Sequence, residues 1–401
     1  MTNNQPITII GAGISGLATA YYQVKANRQV RIIERTAKAG GLVGTIRTEH
    51  GPVERAASSI RNSARFEALC EEIGVPLLAP RDESRARYIF RDRPRQWPLT
   101  AGETLGMVGR LLANLAHPGP KPFESIGDWG RRVLGKGATG YLLSPALSGI
   151  YSADPEQLSA SLIFRRSPLA APSTEKAQRP TVRGIVAPEG GMQQLIDGLT
   201  EYLREAGVEF QYEQELPIEP DEPTIVCTSA REAAALLEST APEVGRQLAR
   251  IEMIPLLTAT CFYSPQAARL EGFGCLFPRD QGVRPLGVLF NSCTFDQRGP
   301  HHSETWIFGG AIDREAIDLP EAEIREAIAQ ARYRLLGEKA DPLGVYLTRW
   351  PDALPHYTVE LERVLKSLPP LPPNLRLVGN YLGKIGLAGI VERAAVVEFI
   401  S

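Results

Sequence analysis

PITIIGAGISGLATAYYQVK, Pro6 to Lys25, reads as an apolar strand, a glycine turn and a helix, and QVRIIER, Gln29 to Arg35, as the next strand. Together they open a doubly wound α/β layer. Gly11, Gly13 and Gly16 spell GxGxxG between strand and helix. In that context the first glycine allows a tight turn, the second lets backbone approach a pyrophosphate, and the third lets helix and strand pack closely. The helix start at Ile14, Ser15 and Gly16 offers N–H donors and a positive dipole end to the phosphates. Glu34, followed by Arg35, closes the second strand about where an acid accepts a hydrogen bond from ribose hydroxyls. Strand, spacing and acid together point to an adenine dinucleotide rather than to a glycine turn needed only for packing.

Composition limits what else the chain can be. It has 401 residues, 43% hydrophobic and 22% charged, and single cores stop growing at roughly 250–300 residues, so two or three cores are expected. The formal net charge is -2 and no long run of one sign occurs, which sets nucleic-acid binding aside. The five cysteines are scattered with no CxxC pair and no histidine at metal-ligand spacing, so they read as small buried hydrophobes in a reducing compartment, with no metal site. The first residues lack the basic and apolar regions of a leader, and no stretch approaches the ~20 apolar residues of a spanning helix. The expected location is cytoplasmic.

Further along, Arg87 to Thr181 turns into helical patches such as ETLGMVGRLLANLA and SIGDWGRRVLGKG, separated by Pro-rich links. This predicts an inserted helical lobe over 87–183. PTIVCTSAREAAALL returns to the α/β layer, while LLTATCFYS, PLGVLFNSCTF and ETWIFGGAI read as antiparallel strands of a sheet-containing lobe over 246–365. The expected cofactor layer is therefore discontinuous, made of 1–86, 184–245 and 366–401. The fold class is α/β: a Rossmann-type layer with an inserted helical lobe and an α+β substrate domain.

Between the second strand and Thr48 the chain runs VRIIERTAKAGGLVGTIRT. Glu34, Gly40, Gly41, Thr45 and Arg47 in this order resemble the extended FAD fingerprint of the flavin amine oxidase superfamily. There the paired glycines let a second loop pass over the pyrophosphate and the basic residue adds charge, a loop that NAD-dependent dehydrogenases do not need. GLVGTIRTEHGPVERAASSIR, LSPALSGIYSADPEQLSASLIF, EGGMQQLIDGL, RWPDALPHY and GNYLGKIGLAGIVERA follow in the order and spacing of the oxygen-dependent protoporphyrinogen oxidases, including bacterial members that oxidise coproporphyrinogen III. SGIYSADPEQLS, Ser148 to Ser159, is the most specific of these runs. The resemblance implies FAD as cofactor, a reduced tetrapyrrole as substrate oxidised in repeated two-electron steps, and dioxygen reoxidising the flavin to give hydrogen peroxide. It also implies partners among haem-pathway enzymes and, through the amphipathic stretch Thr104 to Ala116, a peripheral membrane contact.

The chain departs from that pattern in three places. Only QYEQELPIEPDEP separates Val208–Phe210 from TIVCTSA, Ala56 and Ala57 stand where the family commonly has Gly-Pro, and IGLAGIVERA lacks the usual Pro-Asp. These changes bear on turnover more than on FAD binding. They leave two other readings open: an amine or polyene oxidase of the same fold, and a relative that holds flavin and tetrapyrrole without turnover.

Near the C-terminus, Gly379, Gly386, Leu387 and Ile390 belong to a strand, turn and helix whose N-terminus, around Gly389 and Ile390, would face the pyrimidine edge of the flavin. On the substrate side a large apolar disc with propionates calls for aromatic walls and arginine. Arg95 is the expected propionate contact, Arg61 the second candidate, and Trp97, Tyr151 and Phe277 the pocket lining. No acid–base or nucleophilic constellation is present, and the adjacent pair His301–His302, in a Gly/Pro loop, reads as exposed.

Overall fold

The structure, a computed structural model, describes residues 5–164, 179–219, 221–383 and 385–399. Its cofactor layer is a five-stranded parallel sheet in the order Glu209–Tyr212, Val30–Glu34, Ile7–Ile10, Thr224–Val226, Leu375–Leu377. Every residue of Ile7–Ile10 is buried, which is why isoleucines stand on both faces of that strand instead of on one. Ile7 and Ile9 pack with the helices Ile14–Lys25, Met192–Glu205 and Leu387–Ala394 through Leu17, Leu195, Leu199 and Val391. Ile10 joins Val226, Leu375 and Leu377 in a second core on the other face.

The second layer is a seven-stranded sheet in the order Gly344–Pro355, Met253–Tyr263, His302–Gly309, Gly287–Phe290, Gly274–Leu276, Arg87–Arg91, Arg93–Arg95. Two expectations are corrected here. Arg87–Arg91 and Arg93–Arg95, expected to open the helical lobe, form a hairpin that turns at Asp92, in the left-handed region with φ 61°, and pairs in parallel with Gly274–Leu276. The reason is the run Tyr88–Ile89–Phe90, three residues that favour strands, with Ile89 and Phe90 buried and Phe90 lying against Phe277 at a ring separation of 5.7 Å. PLGVLFNSCTF is a strand only as far as Phe290, and Asn291–Thr294 is a helical turn.

One face of this sheet is covered by the helix Glu321–Leu336, whose Ile324, Ile328 and Ala331 meet Leu257, Ala259, Trp306 and Phe308. By alternation, Leu256, Thr258, Thr260, Leu289 and Thr305 lie on the opposite face. That face turns toward the cofactor layer. Trp350, paired with Leu256, donates its indole N–H to the Arg55 carbonyl at 2.8 Å, and the Arg55 guanidinium stacks 4.7 Å from the Trp350 ring centroid.

The helical lobe contains Ala101–Ala113, Ile126–Val133, Ser144–Tyr151 and Ala160–Phe164. Most of the Pro-rich link Ser167–Pro180 lies outside the described residues. SGIYSADPEQLS proves to be the seam between lobes. The Ser152 carbonyl accepts from Ala311 N–H at 2.8 Å, Ser159 N–H donates to the Tyr357 carbonyl at 2.9 Å, and the Ser159 hydroxyl donates to Glu362 at 2.6 Å. All five cysteines are buried and free.

Ala101–Ala113 starts on a capping box between Thr100 and Glu103, and Arg91 donates to Glu103 at 2.7 Å, tying this helix to the hairpin. These bonds, first Arg91 and then Thr100 N–H, hold the Glu103 carboxyl down at about 2, against an ordinary value of 4.5. A carboxylate held low stabilises the fold fully above its ordinary value and loses that contribution as pH falls through its folded value. With the side chain 24% exposed, solvent screening reduces the contribution to about 1–2 kcal/mol. Glu103→Gln should therefore remove part of the loss of stability between pH 4.5 and about 2. Urea unfolding of both proteins across that window checks this, and parallel curves would show that the pair contributes nothing.

Candidate cofactor and substrate site

The two glycine loops come together at the C-terminal end of the parallel sheet. Gly11 has φ +104°, and a side chain on Gly16 would place its Cβ 1.8 Å from the Gly11 oxygen. Gly13, by contrast, has nothing within 4 Å of that position. Gly40 donates its N–H to the Ala12 carbonyl at 2.9 Å and forms a parallel bridge with Gly13. A Cβ on Gly41 would lie 3.4 Å from the Gly13 Cα. The second loop therefore rests on the first, beside an open space.

The helix Ile14–Lys25 has Gly13 as N-cap, with no side chain capping it, and its first backbone bond runs from Leu17 N–H to the Gly13 carbonyl at 3.0 Å. The N–H groups of Ile14, Ser15 and Gly16, ahead of that bond, have no partner within the helix, a geometry that suits an anionic ligand. Glu34 supports the loop from the strand end. One carboxylate oxygen accepts from Ala12 N–H at 2.8 Å and the other from the Thr36 N–H and hydroxyl, each at 2.8 Å, and further lone pairs remain for a ribose hydroxyl. Arg35, largely exposed, pairs with Glu232 at 2.5 Å and Glu215 at 3.7 Å.

Thr45 and Arg47 tether the hairpin Thr45–Thr48/Gly51–Glu54. Thr45 donates to Glu54 at 2.7 Å and accepts from Gln193 N–H at 3.0 Å, while Arg47 donates to the Gly190 carbonyl at 2.7 Å. Glu54 also meets Arg298 at 3.1 Å, a pair of 244 residues' separation with side chains only 10% and 7% exposed. Burial pushes the Glu54 carboxyl up and the Arg298 guanidinium down, against the attraction of each for the other. Sequence reading missed Arg298, because a single arginine in a Gly/Pro loop gives no periodic signal.

At the C-terminal turn, the N-cap of Leu387–Ala394 is Gly386, which has nothing within 4 Å of a Cβ position. Leu387 is the first helical residue, and Gly379 lies against the Tyr381 ring. The helix starts one turn earlier than expected, so Ile390 is corrected: its N–H is already bonded to the Gly386 carbonyl at 3.0 Å and its side chain is buried in the core.

The expected substrate residues separate. Arg95 is clamped by Asp92, with contacts of 3.1, 3.0 and 2.9 Å. Trp97 is half exposed and donates to Thr104 at 3.1 Å. Arg61 is exposed at the end of the short strand Ile60–Arg61. Tyr151 packs 5.2 Å from Tyr357, and burial raises its phenol. Phe277 is a correction, since it is core: it stacks on Trp306 at 6.0 Å and is 2% exposed. His302 is another, being buried at the start of its strand, where Ser292 and Glu304 hold its ring at 2.8 and 3.0 Å. Between the layers lies a small pocket, a cavity of about 20 Å³, walled by Glu54 and Ser58 on one side and Leu289, Asn291, Arg298 and Thr305 on the other.

The open space at Gly13, the uncapped helix start, the glycine loop laid across it and the acid at the strand end fit the diphosphate and ribose of a bound dinucleotide. A parallel dinucleotide-binding layer facing a second sheet across an interlayer pocket defines a two-layer oxidoreductase. The chain belongs to the family of flavin containing amine oxidoreductases, whose model matches residues 14–217 and 221–396. It is an FAD-dependent oxidoreductase, and it is similar to protoporphyrinogen and coproporphyrinogen oxidases. The chloroplastic protoporphyrinogen oxidase of Nicotiana tabacum is 25% identical, over 96% of this chain and 83% of the relative. The coproporphyrinogen III oxidase of Bacillus subtilis is 20% identical, over 98% of each. Among solved structures, an Exiguobacterium protein provisionally assigned as a protoporphyrinogen oxidase superposes with a TM-score of 0.78 at 22% identity, covering 98% of this chain and 97% of that one. That likeness is one of fold.

Proposed function

We propose that the chain oxidises a porphyrinogen, protoporphyrinogen IX to protoporphyrin IX or coproporphyrinogen III to coproporphyrin III, with dioxygen as final acceptor and hydrogen peroxide as its product, within haem biosynthesis. The observation that carries this reading is a likeness running from end to end of the chain to relatives named for these two oxidations. Bound FAD supplies the two-electron acceptor. Gly13, the helix start at Ile14–Gly16 and Glu34 hold its diphosphate and ribose, and Gly386 with Leu387 brings a second helix N-terminus to the site. The sheet face of Leu256, Thr258, Leu289 and Thr305 forms the wall opposite. No protein base is required, because the pyrrole nitrogens of the substrate themselves help expel hydride.

The test is to load the protein with FAD and mix it anaerobically with each porphyrinogen, following flavin absorbance and porphyrin fluorescence. Flavin bleaching as porphyrin appears is the expected result, and a flavin that stays oxidised with both substrates refutes the reading. Arg95 and Arg61 stand as rim contacts for propionate. Because Arg95 must exchange Asp92 for the substrate at an exposed site, Arg95→Ala should raise KM by no more than about fivefold.

The helix Ala101–Ala113 buries none of its residues, and Leu105, Leu112 and Leu115 are 72, 62 and 71% exposed. An apolar stripe of this kind seats in a lipid interface, and we assign it to peripheral membrane contact. No helix among the described residues is long and apolar enough to cross a membrane. Leu105→Glu/Leu112→Glu should abolish co-sedimentation with phosphatidylglycerol vesicles while leaving FAD content unchanged. Equal sedimentation of both proteins would remove the assignment.

A further inference from the structure

Arg298 is 7% exposed and gives Glu54 only one of its terminal nitrogens, Nη1. The other, Nη2, is buried and has no hydrogen-bond partner among the described residues. An unpaired N–H on a buried cation is costly, and native folds keep such groups where something answers them. Phe295 lies under the guanidinium at 5.3 Å and offers no acceptor oxygen from its side chain. Arg298 also forms part of the wall of the interlayer pocket, beside Ser58 of the run after Glu54 and Asn291 and Thr305 of the sheet side.

Glu54 and Arg298 both border this pocket, and of the two only Arg298 keeps an unanswered polar atom among the described residues. Glu54 is already engaged by the Thr45 hydroxyl at 2.7 Å, Met192 N–H at 3.3 Å and Arg298 at 3.1 Å. A cavity of about 20 Å³ holds roughly one water, so it takes a carboxylate oxygen at the end of an acidic arm and not a macrocycle. Asn291 donates to Thr305 at 2.8 Å, so the polar groups of the sheet side are positioned before any ligand arrives.

We propose that this pocket is a carboxylate subsite of the substrate cleft, in which Arg298 Nη2 receives a carboxylate arm of the substrate while Nη1 stays on Glu54. The inference rests on the tetrapyrrole reading and names the acid arm as what the enzyme recognises. Glu54 becomes the residue that positions Arg298. Through Thr45 and Met192 it joins substrate recognition to the hairpin that follows the second glycine loop.

The test compares a porphyrinogen free acid with its methyl ester on FAD-loaded protein, wild type and Arg298→Gln. The expected result is a KM for the acid raised about ten- to hundredfold, the factor lost with one charge-assisted hydrogen bond, with kcat within about threefold, as expected where an interaction serves binding uniformly. The ester should behave alike in both proteins, and Arg298→Lys should recover part of the loss. An unchanged KM for the acid, or an equal rise for the ester, overturns the proposal.

If Arg298→Gln fails to fold, the wild type alone decides. It should prefer acid over ester, Arg298→Lys should narrow that preference, and a wild type indifferent to esterification overturns the subsite. If the wild type oxidises neither porphyrinogen, the functional reading has failed and the subsite is judged by sodium propionate. Propionate should raise the melting temperature of the wild type more than that of Arg298→Lys, and no rise in the wild type overturns the subsite as well. Propionate protection without any acid-specific change in KM means that the pocket takes free carboxylates, which overturns its assignment to the substrate.

Discussion

Gly16→Ala should cost the protein both its FAD and much of its stability, whereas Gly13→Ala should cost it FAD affinity alone. The two glycines are three residues apart in one motif, but their surroundings differ. A methyl on Gly16 would sit 1.8 Å from the Gly11 carbonyl oxygen, which is backbone and cannot rotate away. Either the helix Ile14–Lys25 moves off the strand Ile7–Ile10 or the first loop is rebuilt, and overpacking at such a point costs about 1–3 kcal/mol or more. A methyl on Gly13 meets no protein atom within 4 Å, so the apo fold should lose no more than about 0.5–1 kcal/mol, the N-cap preference for glycine over alanine included. The same methyl occupies space in front of Ile14, Ser15 and Gly16, where the diphosphate is proposed to sit, and FAD affinity should fall at least about tenfold, the value of one lost hydrogen bond to a charged group. Thermal unfolding of both apoproteins, with FAD titrations by flavin fluorescence quenching, separates the cases. Equal losses of apo stability in the two variants would mean that the open space at Gly13 is not the cofactor's.

That contrast also marks how far the sequence could be read. GxGxxG announced a turn, and Glu34 and Gly40–Gly41 announced a second loop that the structure lays against the first, because each signal is local and its spacing is set by strand and helix geometry. Sequence could not say that Thr45 and Arg47 would serve the hairpin and Gly190, since the partners arrive from a segment more than a hundred residues away. The hairpin Arg87–Arg95 was misplaced for a similar reason. Its aromatic and β-branched run YIF is short, the strand it pairs with begins at Gly274, and helices on its C-terminal side drew it into the helical lobe. Ile390 failed by one helical turn, the usual imprecision of a boundary when glycines stand at both Gly386 and Gly389. Ser148–Ser159 was the most specific run in the chain, and the structure accounts for this by its contacts with Ala311, Tyr357 and Glu362 in separate parts of the fold.

Buried polar residues were least legible of all, and they yield the second large effect: Arg332→Met should destabilise the protein by about 3–5 kcal/mol, and Glu304→Gln added to it should return part of that loss. Arg332 and Glu304 are 2% and 1% exposed and meet at 3.2 Å behind the sheet, away from the cofactor layer. Glu304 also accepts from the Trp306 indole at 3.1 Å and contacts the His302 ring at 3.0 Å, while Arg332 stacks 4.1 Å from the Tyr263 centroid and donates to the Ala268 carbonyl. Removing the arginine alone leaves a carboxylate in a core lined by Trp306 and Phe308, where its loss of hydration is no longer answered by an opposite charge. Glutamine at 304 removes that charge but keeps an oxygen for the indole, so the double variant should be more stable than Arg332→Met. Urea unfolding followed by tryptophan fluorescence measures both differences. Single and double variants of equal stability would show that packing around Arg332, and not its charge, holds the helix Glu321–Leu336 to the sheet. Because this network lies on the face turned away from the proposed cleft, the FAD dissociation constant of the folded double variant should stay within about twofold of the wild type, as expected for sites without shared partners.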